Sequence, residues 1–248
     1  MFHILTATDA DQRLAELERF IQHWYGPRRP EFGEPDALAG YPELPGSLRR
    51  FYSFAGQWPS PNPDSDAEYF YTGGSGHHLL PLAQASPTVD GRLRFFMEYQ
   101  GDWYGVTTPG EPDPPVWITG RWDEEGAPEG TEDGPEPQAK TRQVSAALSR
   151  FLVTHCLMTT VYEWDNSPHP RTSSHAVDTA LADWLRRERA SAEVLWAAEP
   201  GGCPNYEGSF LLLHGRVLVH DTGSGFLKFG ARHPEGIELL RGVIGDAV

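Results

Sequence analysis

QGDWYGVTTPGEPDPPVWIT, residues 100–119, reads as two β-strands joined by a proline-bearing loop. Within 102–107, Trp103, Gly105 and Thr107 alternate with Tyr104 and Val106, so the two sets face opposite sides of a strand. Gly110 and Pro112 belong to the loop. Pro114 and Pro115 forbid helix there, because proline lacks the amide hydrogen and its ring crowds the preceding turn. Residues 116–118 make a second, short strand. Immediately upstream, LRFFMEY at 93–99 has the aromatic and apolar content of a central strand. The three segments predict the middle of one antiparallel sheet.

On either side of this sheet the periodicity turns helical. Residues 8–24 carry Leu14, Leu17, Ile21 and Trp24 on one stripe, widened by Phe20, with Thr8 and Asp11 resembling a capping box and Gly26-Pro27 as the stop. The Pro- and Gly-rich stretch 26–46 reads as a wandering connection. A short helix at 45–55 turns Leu48, Phe51, Tyr52 and Ala55 inward and ends at Gly56. Residues 69–72 suggest a short strand before a Gly-rich turn and His77-His78, and 79–82 is a short apolar segment. Residues 144–162 are the strongest helix, with Val144, Ala147, Leu148, Phe151, Leu152, His155 and Cys156 on one face. A further helix at 175–190 precedes four strands (194–198, 210–214, 217–220 and 226–229) with turns at 214–216 and 222–225, and Pro234 opens a closing helix.

The chain has 248 residues, enough for one large domain or a domain with an appended lobe. Twenty basic against 35 acidic residues leave a formal charge of −15. Such a field repels nucleic acid and anionic membranes and attracts basic proteins. Two cysteines, Cys156 and Cys203, without a CxxC pattern support neither a disulfide framework nor a structural zinc site. The opening residues are too short and acidic for a signal peptide, and no apolar run is long enough to span a bilayer, so a cytoplasmic location is expected.

The sharpest chemical motif is Asp221-Thr222-Gly223-Ser224, the local signature of pepsin-like and retroviral aspartic proteases. It occurs once, too few residues follow it, and His220 precedes it where those families have an apolar residue; D-T-G is also an ordinary hairpin turn. A hydrolase using Asp221 is therefore a remote alternative. The histidines form no HxH or HExxH pattern, with His77-His78 the one local pair. Gly73-Gly74-Ser75-Gly76 lacks the Lys-Ser/Thr that completes a phosphate-binding loop. Glu98, Asp102 and Asp113 form a candidate carboxylate cluster near the central strands, equally consistent with exposed sheet and loop charges. No catalytic, cofactor-binding or metal-binding residue is assigned.

Several stretches resemble the SUKH superfamily, which takes in bacterial toxin-immunity proteins and fungal regulators of cell-wall synthesis. Leu44-Pro45, Leu48 to Tyr52 and Ala55-Gly56 are similar to its LP…LxxFY…G helix. Glu98, Gln100, Gly101 and Trp103 resemble its E-x-Q-G-x-W-x-W strand pair, with Tyr104-Gly105 where Trp is more common. Asp113-Pro114-Pro115-Val116 is similar to its DPPV turn, and residues 145–157 to the helix that closes its core. The resemblance covers about residues 9–162. It implies an α+β fold, a curved and mostly antiparallel sheet with helices packed on one face. On this reading 1–162 is the core domain, and 163–248 is an extension of it or a small second lobe. It implies a binding protein without catalytic residues. An immunity protein neutralising a basic toxin domain, such as a nuclease, fits the −15 charge. A regulatory or scaffold protein with an endogenous partner is the alternative. The expected contact surface combines acidic loops with neighbouring aromatics: Trp58, Asp64, Asp66, Glu68, Tyr69, Tyr71, Trp117, Asp123, Glu124 and Glu125.

Overall fold

A computed structural model describes residues 2–4, 6–34, 37–60, 68–72, 77–120, 140–163, 175–188, 192–197, 208–222 and 227–244. The expected central sheet is present: β3 (Leu93–Glu98), β4 (Trp103–Thr107) and β5 (Val116–Gly120) are consecutive antiparallel neighbours. β1 (His77–Leu79) and the two-residue β2 (Ser86–Pro87) both pair with β3, and β6 (Lys140–Ser145) pairs with β5. Leu79, Phe96, Gly105 and Ile118 line up across the inner face and are buried. A bulge between Arg94 and Phe96 places an extra residue, Phe95, in the strand. Phe95 and Phe96 then both meet Phe151 edge-on, at 5.7 and 4.8 Å between centroids. Gly105 is needed opposite Phe96, because a Cβ there would lie 2.8 Å from the Phe96 Cβ.

Two segments differ from the sequence reading. β6 takes Val144 and Ser145, read as the start of a helix, together with residues 140–143, which carry no assigned element, and α3 begins later, spanning Leu148–Glu163. Lys140, Thr141, Arg142 and Gln143 are all exposed on this strand, so it shows no apolar alternation, as suits a sheet edge. Phe70–Thr72 is one turn of 3-10 helix rather than a strand. The other helices fall close to expectation: α1 (Ala10–Tyr25), α2 (Gly46–Ala55), α4 (His175–Glu188) and α5 (Pro234–Ile244). Asp9, not Thr8, caps α1, its carboxylate accepting from Gln12 N at 2.8 Å.

The last third forms a separate four-stranded antiparallel sheet in the order β10-β9-β8-β7, from β7 (Glu193–Ala197), β8 (Ser209–Leu213), β9 (Val217–Asp221) and β10 (Leu227–Ala231). The chain turns from β8 to β9 at His214-Gly215, both at positive φ (52° and 67°), closed by Arg216 N donating to Leu213 O. The second expected turn lies partly outside the described residues. Both faces of this sheet are covered. Phe210, Leu212 and Leu218 pack with Trp196 and α3 in the main core, while Leu211, Leu213, Val217, Val219 and Phe229 meet Leu181, Trp184, Leu185 and Leu240 of α4 and α5. Burial on both sides explains why β8 and β9 read as nearly continuous apolar runs.

α3 is thus enclosed between two sheets, and every residue from 151 to 161 is buried. A helix apolar all round has this kind of location. Each large apolar side chain so buried contributes roughly 1.5–3 kcal/mol. Two polar groups of α3 meet Trp196 of the second sheet: Trp196 Nε1 donates to Thr154 Oγ1 at 2.8 Å, and Arg150 lies 4.6 Å over the Trp196 ring. The fold is α+β, with two antiparallel sheets. Residues 163–248, read as an extension of the core domain or a small second lobe, supply the second sheet, which stacks across α3.

One carboxylate ties the helices together. Asp113, in the β4–β5 loop, accepts Ser47 Oγ (2.7 Å) and Ser149 N (2.6 Å) through Oδ1, and Ser149 Oγ (2.8 Å) and Arg13 Nη2 (3.3 Å) through Oδ2. Arg13 Nε also donates to Ser149 Oγ at 2.9 Å. The same loop accepts the first amides of α2, with Gly46 N on Glu111 O and Ser47 N on Pro112 O. A negative group at the starts of α2 and α3 meets the positive ends of both helix dipoles, and Arg13 of α1 supplies the counter-charge.

Candidate interaction site

The sequence-derived chemistry disperses in the fold. Asp113 is committed to the knot just described. Glu98 accepts Gln100 N (2.7 Å) and Asp102 N (3.3 Å), closing the β3–β4 turn, while Asp102 is exposed. The three carboxylates therefore do not form a cluster. Asp221 ends β9 opposite Leu227, and His220 before it is 1% exposed and stacked on Phe210 at 4.7 Å. That histidine fills an aromatic place in the core, at the position where the protease families have an apolar residue. His155 is fully buried with Nε2 2.9 Å from Tyr71 O, and burial pulls its pKa down to about 3, so the ring is neutral. His77 points inward, 4.9 Å from the Trp103 ring, while the half-buried His78 has its pKa lowered by burial. Among the described residues no three His, Cys, Asp or Glu side chains are placed to hold a metal ion.

Two of the expected contact residues need correction. Trp58 is 2% and Tyr71 0% exposed. Trp58 packs between Phe32 and Phe54, and the Tyr71 hydroxyl donates to Gly56 O, so both are core residues beneath the surface they were expected to form. Their loops are polar, but a large aromatic at a loop base gains more from burial than from exposure. Asp64, Asp66, Asp123, Glu124 and Glu125 lie outside the described residues. Trp117 is half-exposed on the outer face of β5, opposite Val106 and Gln143.

Glu68 and Tyr69 remain at the surface, and the fold adds Glu34 beside them. Tyr69 donates to Glu68 Oε1 at 2.8 Å and stacks on Tyr71 at 5.6 Å; burial first, then the bond to Glu68, push its pKa up to about 12. The charges of Glu34 and Glu68 both act on the Tyr69 and Tyr71 hydroxyls. Glu34 is brought in by its backbone N–H, which donates to Tyr52 O at 3.0 Å near the end of α2. Gly56 leaves room for its carboxylate, since a Cβ there would lie 2.6 Å from Glu34 Oε1.

Burial raises the Glu34 pKa, and no hydrogen bond or ion pair to its carboxylate is formed among the described residues. The nearby Arg28 is engaged elsewhere, donating to Ser53 O (3.0 Å) and Phe54 O (3.2 Å) at the α2 C-terminus. A half-buried carboxylate without a donor is costly in the free protein and suits an incoming cation. Nothing in the sequence marks Glu34, which lies in the Pro- and Gly-rich connection. The site's chemistry is charge and aromatic surface: Glu34 and Glu68 near the hydroxyl of Tyr69, a setting for a lysine or arginine side chain.

No described helix is long and apolar enough to cross a membrane. No protein-family model, curated protein or solved structure gives a significant match to this chain.

Proposed function

We propose that this chain is a cytoplasmic binding protein of the SUKH kind, an immunity protein that neutralises a basic toxin domain by covering its active surface without making or breaking covalent bonds. The observation that carries the reading is Glu34, a partly desolvated carboxylate with no donor among the described residues, beside Glu68 and Tyr69. The −15 net charge supports it by steering a basic partner inward. The resemblance of 9–162 to the superfamily supports it too, with its LP…LxxFY…G, strand-pair and DPPV segments lying on α2, β3–β4 and the loop that closes the Asp113 knot.

The test begins with the neighbouring gene, which on this reading encodes a large secreted protein with a variable C-terminal domain. That domain should bind tightly, with affinity that falls steeply with salt. Glu34→Gln with Glu68→Gln should weaken binding by at least about tenfold, mainly through faster dissociation. Cells expressing the toxin domain should survive when this chain is supplied. Binding that ignores both salt and the double substitution would refute the reading.

A further inference from the structure

Beneath the acidic face lies one buried side chain that connects its two halves. Tyr71 is fully buried, and its hydroxyl and its carbonyl are each tied to a helix. The hydroxyl donates to Gly56 O, just past the end of α2. The carbonyl lies 2.9 Å from Nε2 of the fully buried His155 on α3. A carbonyl can only accept, so the neutral imidazole carries its proton on Nε2.

From Tyr71 the contacts run outward in two directions. On one side, Gly56 N and Glu34 N both donate to Tyr52 O at 3.0 Å, and the Glu34 carboxylate packs over Gly56. On the other, the Tyr69 ring stacks on the Tyr71 ring at 5.6 Å and 13°, and the Tyr69 hydroxyl donates to Glu68 Oε1 at 2.8 Å. The turn that carries Tyr71 is also held by Phe70 N on Trp58 O (3.1 Å) and closed by Thr72 N on Tyr69 O (3.0 Å). Those bonds keep the turn attached when the Tyr71 tether is cut.

Resting on the reading of this face as the binding surface, we propose that Tyr71, held by His155, is a positioning residue that fixes the spacing of Glu34 and Glu68 for the partner. Two carboxylates on separate irregular segments lose conformational freedom when a partner orders them, and that loss subtracts from affinity. A buried tyrosine bonded at both ends removes the freedom before the partner arrives. Tyr71 and His155 lie below the surface, so their effect passes through the placement of Glu34 and Glu68. The partner such a face fits presents two cationic side chains at a fixed spacing, on a helix or strand rather than a disordered tail.

The first measurement needs no partner. Tyr71→Phe keeps the ring and loses the tether, so amide hydrogen exchange at Phe70 and Thr72 should speed up by at least about tenfold, with a smaller change in the amides of β4. His155→Leu should do the same, and His155→Gln should restore slow exchange, because its side-chain amide also donates. The second measurement uses the C-terminal domain encoded by the neighbouring gene. Tyr71→Phe should weaken its binding by at least about threefold, and this loss should vanish in the Glu34→Gln, Glu68→Gln background, where no carboxylate is left to position. Four outcomes would overturn the proposal: unchanged exchange in Tyr71→Phe, acceleration spread evenly over β4 and the turn, no rescue by His155→Gln, or a binding loss that persists undiminished in the doubly substituted background. A domain that fails to bind the wild-type chain would refute the functional reading instead, and the exchange rates alone then decide whether Tyr71 and His155 hold the face.

Discussion

Replacing Asp113 with alanine removes the acceptor shared by three helices. Ser47 Oγ, Ser149 N, Ser149 Oγ and Arg13 Nη2 all lose it at once. Arg13 is 8% exposed, and the ion pair's side chains retain only 9% and 15% of their accessible surface, so water cannot fully replace the carboxylate. Removing one partner of a buried pair typically costs about 3–5 kcal/mol, mostly because the other charge is stranded. For a chain of this size that is a fall of roughly 6–20 °C in melting temperature. Urea unfolding should show the same loss as a lower midpoint at nearly constant slope. Arg13→Met in the Asp113→Ala background removes the stranded charge, so the double variant should recover about 1 kcal/mol or more of the summed losses. A loss below about 1 kcal/mol for Asp113→Ala, or strict additivity with Arg13→Met, would refute the account of Asp113 as the tie between helices.

Other outcomes follow from single positions. His155 is neutral in the folded chain with a pKa near 3, so below about pH 6.5 only the unfolded chain takes up the proton. Stability should therefore fall by about 1.4 kcal/mol per pH unit from this residue as the pH drops from 6.5 towards 3, with no contribution above 6.5. His155→Gln should flatten that slope in urea midpoints measured at pH 5 and pH 7, and an unchanged slope would count against it. Gly105→Ala forces a Cβ against Phe96 and should cost roughly 1–3 kcal/mol by thermal melting. Cys156 is fully buried and its thiol pKa is raised by desolvation, so in a Cys203→Ser background it should react with a thiol reagent only as fast as the protein opens. Rapid labelling of the native protein would contradict its placement.

The central strands were legible because Trp103, Tyr104, Gly105 and Val106 alternate in a stretch where proline excludes helix. The second sheet was legible strand by strand, since its short apolar runs are bounded by turn residues. Its separation from the first sheet was not, because stacking across α3 leaves no local pattern. β6 was missed because an edge strand carrying Lys140, Thr141, Arg142 and Gln143 has no buried face along most of its length. The candidate site was half legible. Glu68 and Tyr69 stand at the surface as the composition of their loop suggested. Trp58 and Tyr71 were misplaced because residue type near a loop does not tell rim from floor. Glu34 became visible only when a single backbone hydrogen bond drew an irregular segment against α2.

α3 stands as a shared wall between the two sheets, and that binds the fate of the chain's two ends. Cutting after Glu163 would strip the cover supplied by Trp196, Phe210, Leu212 and Leu218 and leave an oily flank in water. Such a fragment should clump rather than survive as a smaller version of the molecule. Shortened forms made for binding work therefore need the C-terminal strands even if every partner contact lies in the first half.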